Sequence, residues 1–207
     1  MSERPIIFTG DEVRAIIEGR KTQTRRPIKR GDVFRFLEGG DYNASERRAI
    51  NAEPFDWDQA NESHPTMDQL LAIHPSGSVG DRLWVRETWR VHGDCGRDKS
   101  ETSTCTGTND CEYAADFDGI ERDMREWRPS IHMPRWASRI TLAVKRVRVQ
   151  RVQEISEADA VAEGFGGAHR NGTLAILEMC RVWDEHHGTG AWARNDWVWA
   201  IEFEGVK

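Results

Sequence analysis

The clearest element in the sequence is a long run of alternating apolar and polar residues at positions 139–152. Ile140, Leu142 and Val144 fall on one face of an extended chain, because successive side chains of a strand point to opposite sides. From Val147 onward the apolar residues follow the other phase of the alternation. A change of phase by one residue is typical of a β-bulge or a bend. The run therefore predicts one long, bent strand, which constrains the fold more than any other segment.

Three helices are predicted around this strand. Thr9 and Glu12 form a capping-box pattern at the start of the first helix, and Gly19 is placed to end it. A second helix is predicted from Ser156 to Gly164, and a third over residues 173–187. The apolar side chains expected on the buried faces of these two helices are Val161, Leu174, Leu177 and Trp183.

Further strands are predicted at residues 6–8, 82–89 and 197–203. Several strands with a few flanking helices favour a small α+β domain of barrel-like form. Residues 30–78 and 92–128 show no sustained period and are rich in turn-forming residues, so we expect them to be two loop-rich insertions. The prediction is a single domain over residues 1–207, and no solenoid repeat is present.

Composition excludes several classes of protein. Nine Trp and seven Phe provide material for a core, and no apolar stretch is long enough for a membrane span or a signal peptide. Collagen and wholesale disorder are excluded as well. Four Cys without an export signal favour reduced thiols, so we expect a cytoplasmic protein.

The net charge of −6 does not suggest a nucleic-acid-binding protein, but the charge is unevenly distributed. Residues 1–30 carry a net +4, residues 31–128 a net −10, and residues 129–207 are neutral. The acidity therefore lies in the two expected insertions. Insertions close to a binding site would repel a long polyanion and favour a free nucleoside as the ligand.

The strongest chemical motif is the segment Gly19-Arg-Lys-Thr-Gln-Thr-Arg-Arg26. If the segment is extended, Thr24 and Arg26 share one face, and Lys21 and Arg25 share the other. A hydroxyl close to an amine is a possible pair of nucleophile and base. The alternative is a solvated basic turn after a helix, where cations favour the helix C-terminus, and spacing alone favours that interpretation.

This segment resembles the signature of the ASCH family, a PUA-like β-barrel group. Two further segments resemble the family in the same order: Gly-Asp followed by a strand at residues 80–85, and the helix at residues 155–164 followed by a closing strand. The motifs Trp-Val-Arg-Glu-Thr-Trp at 84–89 and Met-Pro-Arg-Trp-Ala-Ser-Arg at 133–139 are similar to those of ASCH proteins carried by phages and prophages. The resemblance covers about half of the chain.

The resemblance implies a fold and an activity. The fold is a PUA-like β-barrel with flanking helices. Small bacterial members of the family are N4-acetylcytidine amidohydrolases, so the resemblance implies that Thr24 attacks an acyl carbonyl, Lys21 accepts its proton, and Glu163 orients or shuttles protons. Arg26 would stabilise the oxyanion or bind a phosphate. No metal or other cofactor is implied.

Other residues are candidates for substrate binding. Trp84 and Trp89 could stack on a base, although most strand Trp residues pack in a core. Arg86 and Glu87 lie between them, and Glu87 could accept a hydrogen bond from a cytosine amino group. The alternative for Glu87 is an ordinary ion pair with a nearby Arg.

Four basic residues are candidates for a phosphate-binding surface: Arg25, Lys29, Arg146 and Arg148. The alternative is the solvated outer face of an antiparallel sheet. Four further residues are candidates for a structural zinc site: His92, Cys95, Cys105 and Cys111. Their spacing is irregular and includes no Cys-x-x-Cys pair, so no metal is expected.

The sequence therefore predicts a protein that recognises a nucleoside or nucleotide and hydrolyses an N4-acylated cytidine. Two alternatives remain open. One is a non-enzymatic module that binds RNA or modified nucleic acid, and the other is a ribonuclease of the ASCH type. No membrane partner is expected, and the sequence does not determine the oligomeric state.

Overall fold

The computed structural model describes residues 1–28, 78–91, 110–119, 126–166 and 174–206. Most of the two predicted insertions lies outside the described residues. These residues include three α-helices: α1, Gly10–Ile17; α2, Glu157–Ala162; and α3, Ala175–His187. The strands are β1, Glu3–Ile7; β2, Gln23–Pro27; β3, Arg82–Arg86; β4, Trp89–Val91; β5, Cys111–Tyr113; β6, Thr141–Arg151; and β7, Trp197–Val206.

Five of these strands form one sheet in the order β1-β3-β6-β7-β2. β1 pairs with β3 in parallel, and the other neighbours are antiparallel. β4 and β5 form a separate two-stranded sheet. The α+β class is confirmed. Among the described residues the large sheet is open, with β1 and β2 as its edges, so the closed barrel expected from the sequence is not observed there.

The predicted irregularity in the long strand is confirmed. β6 pairs with β7 along its length, but the register shifts between Val144 and Arg146. Val144 lies opposite Phe203, and Arg146 lies opposite the adjacent residue Glu202. Lys145 is therefore an extra residue on β6, as in a β-bulge, and the side chains beyond it change face.

The core lies between the large sheet and α1. Val13 of α1 packs in one buried cluster with Leu83 and Val85 of β3 and with Ile201 of β7. The capping box at the start of α1 is confirmed, because the Thr9 hydroxyl accepts a hydrogen bond from the Glu12 N–H and the Glu12 carboxylate accepts one from the Thr9 N–H.

The predicted inward faces of α2 and α3 are only partly correct. Trp183 is buried, but three of the expected core residues are exposed: Val161 by 51%, Leu174 by 57% and Leu177 by 59%. α3 begins after Leu174, and its buried stripe consists of residues four apart, Ala175, Met179 and Trp183. Apolar residues occur on more than one side of this helix, so the sequence pattern did not identify the buried side uniquely. Among the described residues, none of the helices has the length and apolar content that a membrane span requires.

The Gly-Asp element before β3 attaches the start of the chain to the sheet. Gly80 has a φ of +90°, which favours glycine in this turn. The Asp81 carboxylate accepts hydrogen bonds from the Ser2 N–H at 2.7 Å, the Ser2 hydroxyl at 2.8 Å and the Ser78 N–H at 3.1 Å. These bonds, led by the one from the Ser2 backbone, lower the pKa of Asp81 from 3.8 to about 2. The carboxylate thus helps to hold β1 next to β3.

We expect the Asp81 carboxyl to titrate at a pH of about 2 in an NMR experiment. Because its pKa is lower in the folded state, its stabilising contribution is complete above the unfolded value near 3.8 and is lost as the pH falls towards 2. The difference in stability between wild type and Asp81→Asn should therefore shrink over that range. A constant difference from pH 5 to pH 2 would contradict this assignment.

Gly164 is expected to be intolerant of any side chain. Its φ is +96°, and a Cβ there would lie 3.3 Å from the Cβ of Ala15 and 3.4 Å from that of Lys21. Gly19 is a matched control, because its φ is +73° and its Cβ would have no neighbour within 4 Å. Gly19→Ala should cost about 1–2 kcal/mol, from backbone strain alone. Gly164→Ala should cost more in urea unfolding, and an equal cost would show that the close contacts do not matter.

Candidate functional site

Lys21 and Glu163 lie next to each other although they are 142 residues apart in the sequence. Their backbones form an isolated antiparallel bridge. The Lys21 Nζ donates to the Glu163 backbone carbonyl at 2.8 Å and to Glu163 Oε2 at 3.1 Å. Both residues are buried, with exposures of 3% and 6%. The structure thus brings together two of the three residues that the family resemblance assigns to catalysis.

Arg25 pairs with the other oxygen of the same carboxylate. Its guanidinium donates to Glu163 Oε1 at 2.8 Å and to Gln23 Oε1 at 2.6 Å. The same guanidinium lies 3.4 Å from Asp159 Oδ2, and Gln23 donates to Asp159 Oδ1 at 3.2 Å. Asp159 and Glu163 are four residues apart, so they lie on the same side at the end of α2. This side of α2 therefore presents two carboxylates to β2.

Alternating charges continue beyond this group in both directions. Arg148 of β6 lies 3.4 Å from Asp159 and 3.0 Å from Glu202. At the other end, Glu12 of α1 lies 3.5 Å from the Lys21 Nζ. We refer to the seven linked side chains as the charge chain: Glu202, Arg148, Asp159, Arg25, Glu163, Lys21 and Glu12. It connects α1, β2, α2, β6 and β7.

Glu12 of α1 and Asp159 of α2 are both held in the charged form. Burial alone would raise the pKa of Glu12, but Lys21, Arg26 and the hydrogen bonds from Thr9 outweigh it and lower the pKa below the usual value. Burial likewise opposes a lower pKa of Asp159, and the hydrogen bond from Gln23 together with the charge of Arg25 lowers it. The charge chain therefore carries ionised carboxylates at neutral pH at these two positions.

Thr24 is buried in β2, directly opposite Ile201 of β7. Directly opposite residues of an antiparallel pair share a face, so Thr24 faces the core cluster, away from the side of Gln23 and Arg25. Arg26 shares the face of Thr24, and its guanidinium lies 5.2 Å from the centre of the Phe8 ring. The Lys21 Nζ lies 5.8 Å from the same ring. Phe8 is therefore a common neighbour of Lys21 and Arg26.

The structure does not bring Trp84 to this group. Trp84 alternates along β3 with Leu83 and Val85, which face α1, so its ring lies on the other side of the sheet. The guanidinium groups of Arg86 and Arg135 lie 5.5 and 6.0 Å from its ring centre. Trp84 and Arg86 are thus neighbours on a surface separate from the charge chain.

Glu87 and Trp89 are interior residues. Arg139 donates from Nε and Nη2 to the two oxygens of Glu87, both at 3.0 Å, and Glu87 is 1% exposed. The ion-pair alternative for Glu87 is thus the observed arrangement, with Glu87 buried and Arg139 partly exposed. Trp89 packs with Tyr113 and Met133 in a third buried cluster. Their roles in ligand binding stay predictions from the sequence.

The basic residues expected at one surface are divided between interior and rim. Arg25 is enclosed by carboxylates, so it is unavailable to a phosphate at the surface, and Arg148 is paired at the rim. Arg146 is exposed, and Lys29 lies outside the described residues. Of the zinc candidates, His92, Cys95 and Cys105 also lie outside the described residues. Cys111 is in β5, and the part of the chain that the structure describes holds no group of three metal-ligating side chains.

Sequence reasoning missed the parts played by Glu12, Gln23 and Asp159. The pattern identified Glu12 as a helix cap only. The spacing of Asp159 and Glu163 did contain a signal, because carboxylates four residues apart on one helix side need cations opposite them when that side is buried, and the Gly19–Arg26 segment supplies these.

Comparisons with known proteins do not assign the chain to a family. No family model and no curated protein sequence matches it. A crystal structure of the ASCH domain from Lactobacillus crispatus JV V101 matches with 11% sequence identity and a TM-score of 0.37, over 99% of this chain and 79% of that one. This identity and TM-score carry no argument about family or function, so the ASCH resemblance stays a prediction from the sequence motifs.

Arg25 and Arg148 share Asp159 as a partner but differ in burial, so they form a matched pair for substitution. Arg25→Met should destabilise the protein by about 3–5 kcal/mol, because it leaves Glu163 and Asp159 with too few cations in the interior. Arg148→Met, at the partly exposed rim, should cost about 1 kcal/mol or less. Urea unfolding followed by Trp fluorescence measures both, and equal losses would contradict the importance of the buried part of the chain.

Proposed function

We propose that the protein hydrolyses the amide of an N4-acylated cytidine, with Thr24 as the nucleophile, Lys21 as the base and Glu163 as its proton partner. The observation that carries the proposal is the buried contact of 3.1 Å between the Lys21 Nζ and Glu163 Oε2. The family motifs named these two residues independently of any structure. Thr24, three residues after Lys21, adds a buried hydroxyl. A purely structural ion pair would not need this hydroxyl, so its presence favours a catalytic role.

The reaction needs proton transfers that the pair can carry out. Lys21 first passes a proton to Glu163 and becomes an amine. The Thr24 hydroxyl then attacks the acyl carbon and gives its proton to Lys21. The bond from the acyl carbon to N4 breaks, N4 takes a proton from Lys21, and cytidine leaves. Water then attacks the Thr24 ester by the same route, which releases the carboxylic acid and restores Thr24.

Each attack places a negative charge on the acyl oxygen, and a nearby cation lowers the barrier. Arg26 is the cation proposed for this step. It shares the β2 face of Thr24, and it is less buried than Lys21 and Arg25. Its guanidinium is fixed by a hydrogen bond of 2.6 Å to the Ile7 carbonyl and by the Phe8 ring. A fixed donor is more effective than a mobile one because it needs no reorganisation during the reaction.

The test is the release of cytidine from N4-acetylcytidine, followed by chromatography. Thr24→Val removes the hydroxyl with little change of shape and should reduce kcat by at least about 10³-fold. Thr24→Ser keeps a hydroxyl and should retain measurable turnover. Thr22→Val is the matched control, since Thr22 is an exposed Thr of the same segment, and it should stay within about twofold of wild type.

Two outcomes would contradict the proposal. One is full activity in Thr24→Val, which would exclude Thr24 as the nucleophile. The other is wild-type protein that leaves N4-acetylcytidine intact. RNA oligonucleotides incubated in parallel then separate the alternatives, because a shifted but intact oligonucleotide indicates a binding module and a cleaved one indicates a ribonuclease.

A further inference from the structure

The carboxylate of Glu12 serves two structural partners at once. Its Oε2 accepts hydrogen bonds from the Thr9 N–H at 2.8 Å and from the Thr9 hydroxyl at 3.1 Å, which completes the cap of α1. Its Oε1 lies 3.5 Å from the Lys21 Nζ. The cap needs only one of the two oxygens. The helix start therefore holds the other oxygen at a defined place beside the Lys21 ammonium.

The surroundings of Lys21 come from several elements. The end of α2 supplies the Glu163 carbonyl and carboxylate, and the segment before α1 supplies the Phe8 ring. An ammonium has three N–H groups, and Glu163 accepts from it twice. Glu12 is the additional charged partner. In the described part of the chain, Lys21 faces the carboxylates of Glu12 and Glu163, and these face Arg26 and Arg25 respectively.

We propose that Glu12 is a positioning residue for Lys21, because its carboxylate holds the ammonium in place beside Glu163. The proposal rests on the function proposed above, in which Lys21 exchanges protons with Thr24. A carboxylate at this distance stabilises the protonated form of an amine. Because the Thr9 backbone N–H fixes the Glu12 carboxylate, the start of α1 is coupled to the position of Lys21, which follows the end of this helix.

Glu12→Gln separates the charge from the cap. Glutamine also completes a capping box, so the fold should be retained, while the negative charge beside Lys21 is lost. The pH at half-maximal hydrolysis of N4-acetylcytidine should fall by about one unit. The NMR shift of the Lys21 Cε at neutral pH should also change, because the Glu12 charge no longer holds the ammonium. The sequence contains only five Lys, and Lys21→Arg assigns the signal.

Thr9→Ala is the matched control, because it weakens the cap but leaves the charge of Glu12. Because the backbone N–H at position 9 still binds Glu12, this variant should lower the melting temperature more than Glu12→Gln does, and it should leave the pH–rate profile and the Lys21 Cε shift in place. An unchanged pH–rate profile in Glu12→Gln would overturn the proposal, whether or not the Cε shift changes. If the wild type does not hydrolyse the substrate, the proposed function fails, and the Lys21 Cε shift still decides whether Glu12 positions Lys21.

Discussion

The charge chain is the interaction on which the rest of the site depends. Isolated charges are expensive to bury, and a buried ion is tolerated when its partners and hydrogen bonds satisfy it. Glu163 meets this condition because one oxygen faces Lys21 and the other faces Arg25. Neither cation can be removed without leaving Glu163 short of a partner. The segment from Lys21 to Arg25 and the end of α2 must therefore fold together. The backbone bridge between Lys21 and Glu163 joins them directly.

A buried network of this kind is weak evidence for stability, since well-packed apolar residues often stabilise a core more. The network is better explained by the specific arrangement that it imposes. It fixes a hydroxyl-bearing strand, an ammonium and a carboxylate in relation to each other, and it fixes them from elements distant in sequence. Such fixed placement is what proton transfer requires, because donors and acceptors must lie within hydrogen-bond distance before the reaction begins.

Local patterns predicted local structure well. The sequence correctly predicted the cap at Thr9, the glycine ends of α1 and α2, and the irregularity in β6. Each of these features follows from the geometry of a few adjacent residues. The open order of the described sheet and the partners of Asp159 depend on tertiary packing and were not predicted. The error at Leu174 and Leu177 has the same origin, because the sequence of α3 offers more than one apolar side and only packing selects Met179 and Trp183.

The structure separates the Gly19–Arg26 motif from the motifs at 84–89 and 133–139. The motifs at 84–89 and 133–139 meet through the Glu87–Arg139 pair and through the Met133 sulfur, which accepts the Glu87 N–H at 3.3 Å. Arg139 also binds Asp116 and lies 4.0 Å from the Tyr113 ring centre, so this pair attaches the small sheet to the end of β3. The role of Glu87 and Arg139 in holding the two sheets together is enough to explain why these residues are present.

The residues around Lys21 differ, because packing alone does not require four carboxylates and three cations in a chain between helices and sheet. That contrast supports the proposal of chemistry at Lys21 and Glu163 rather than at the Trp residues of the motif at 84–89.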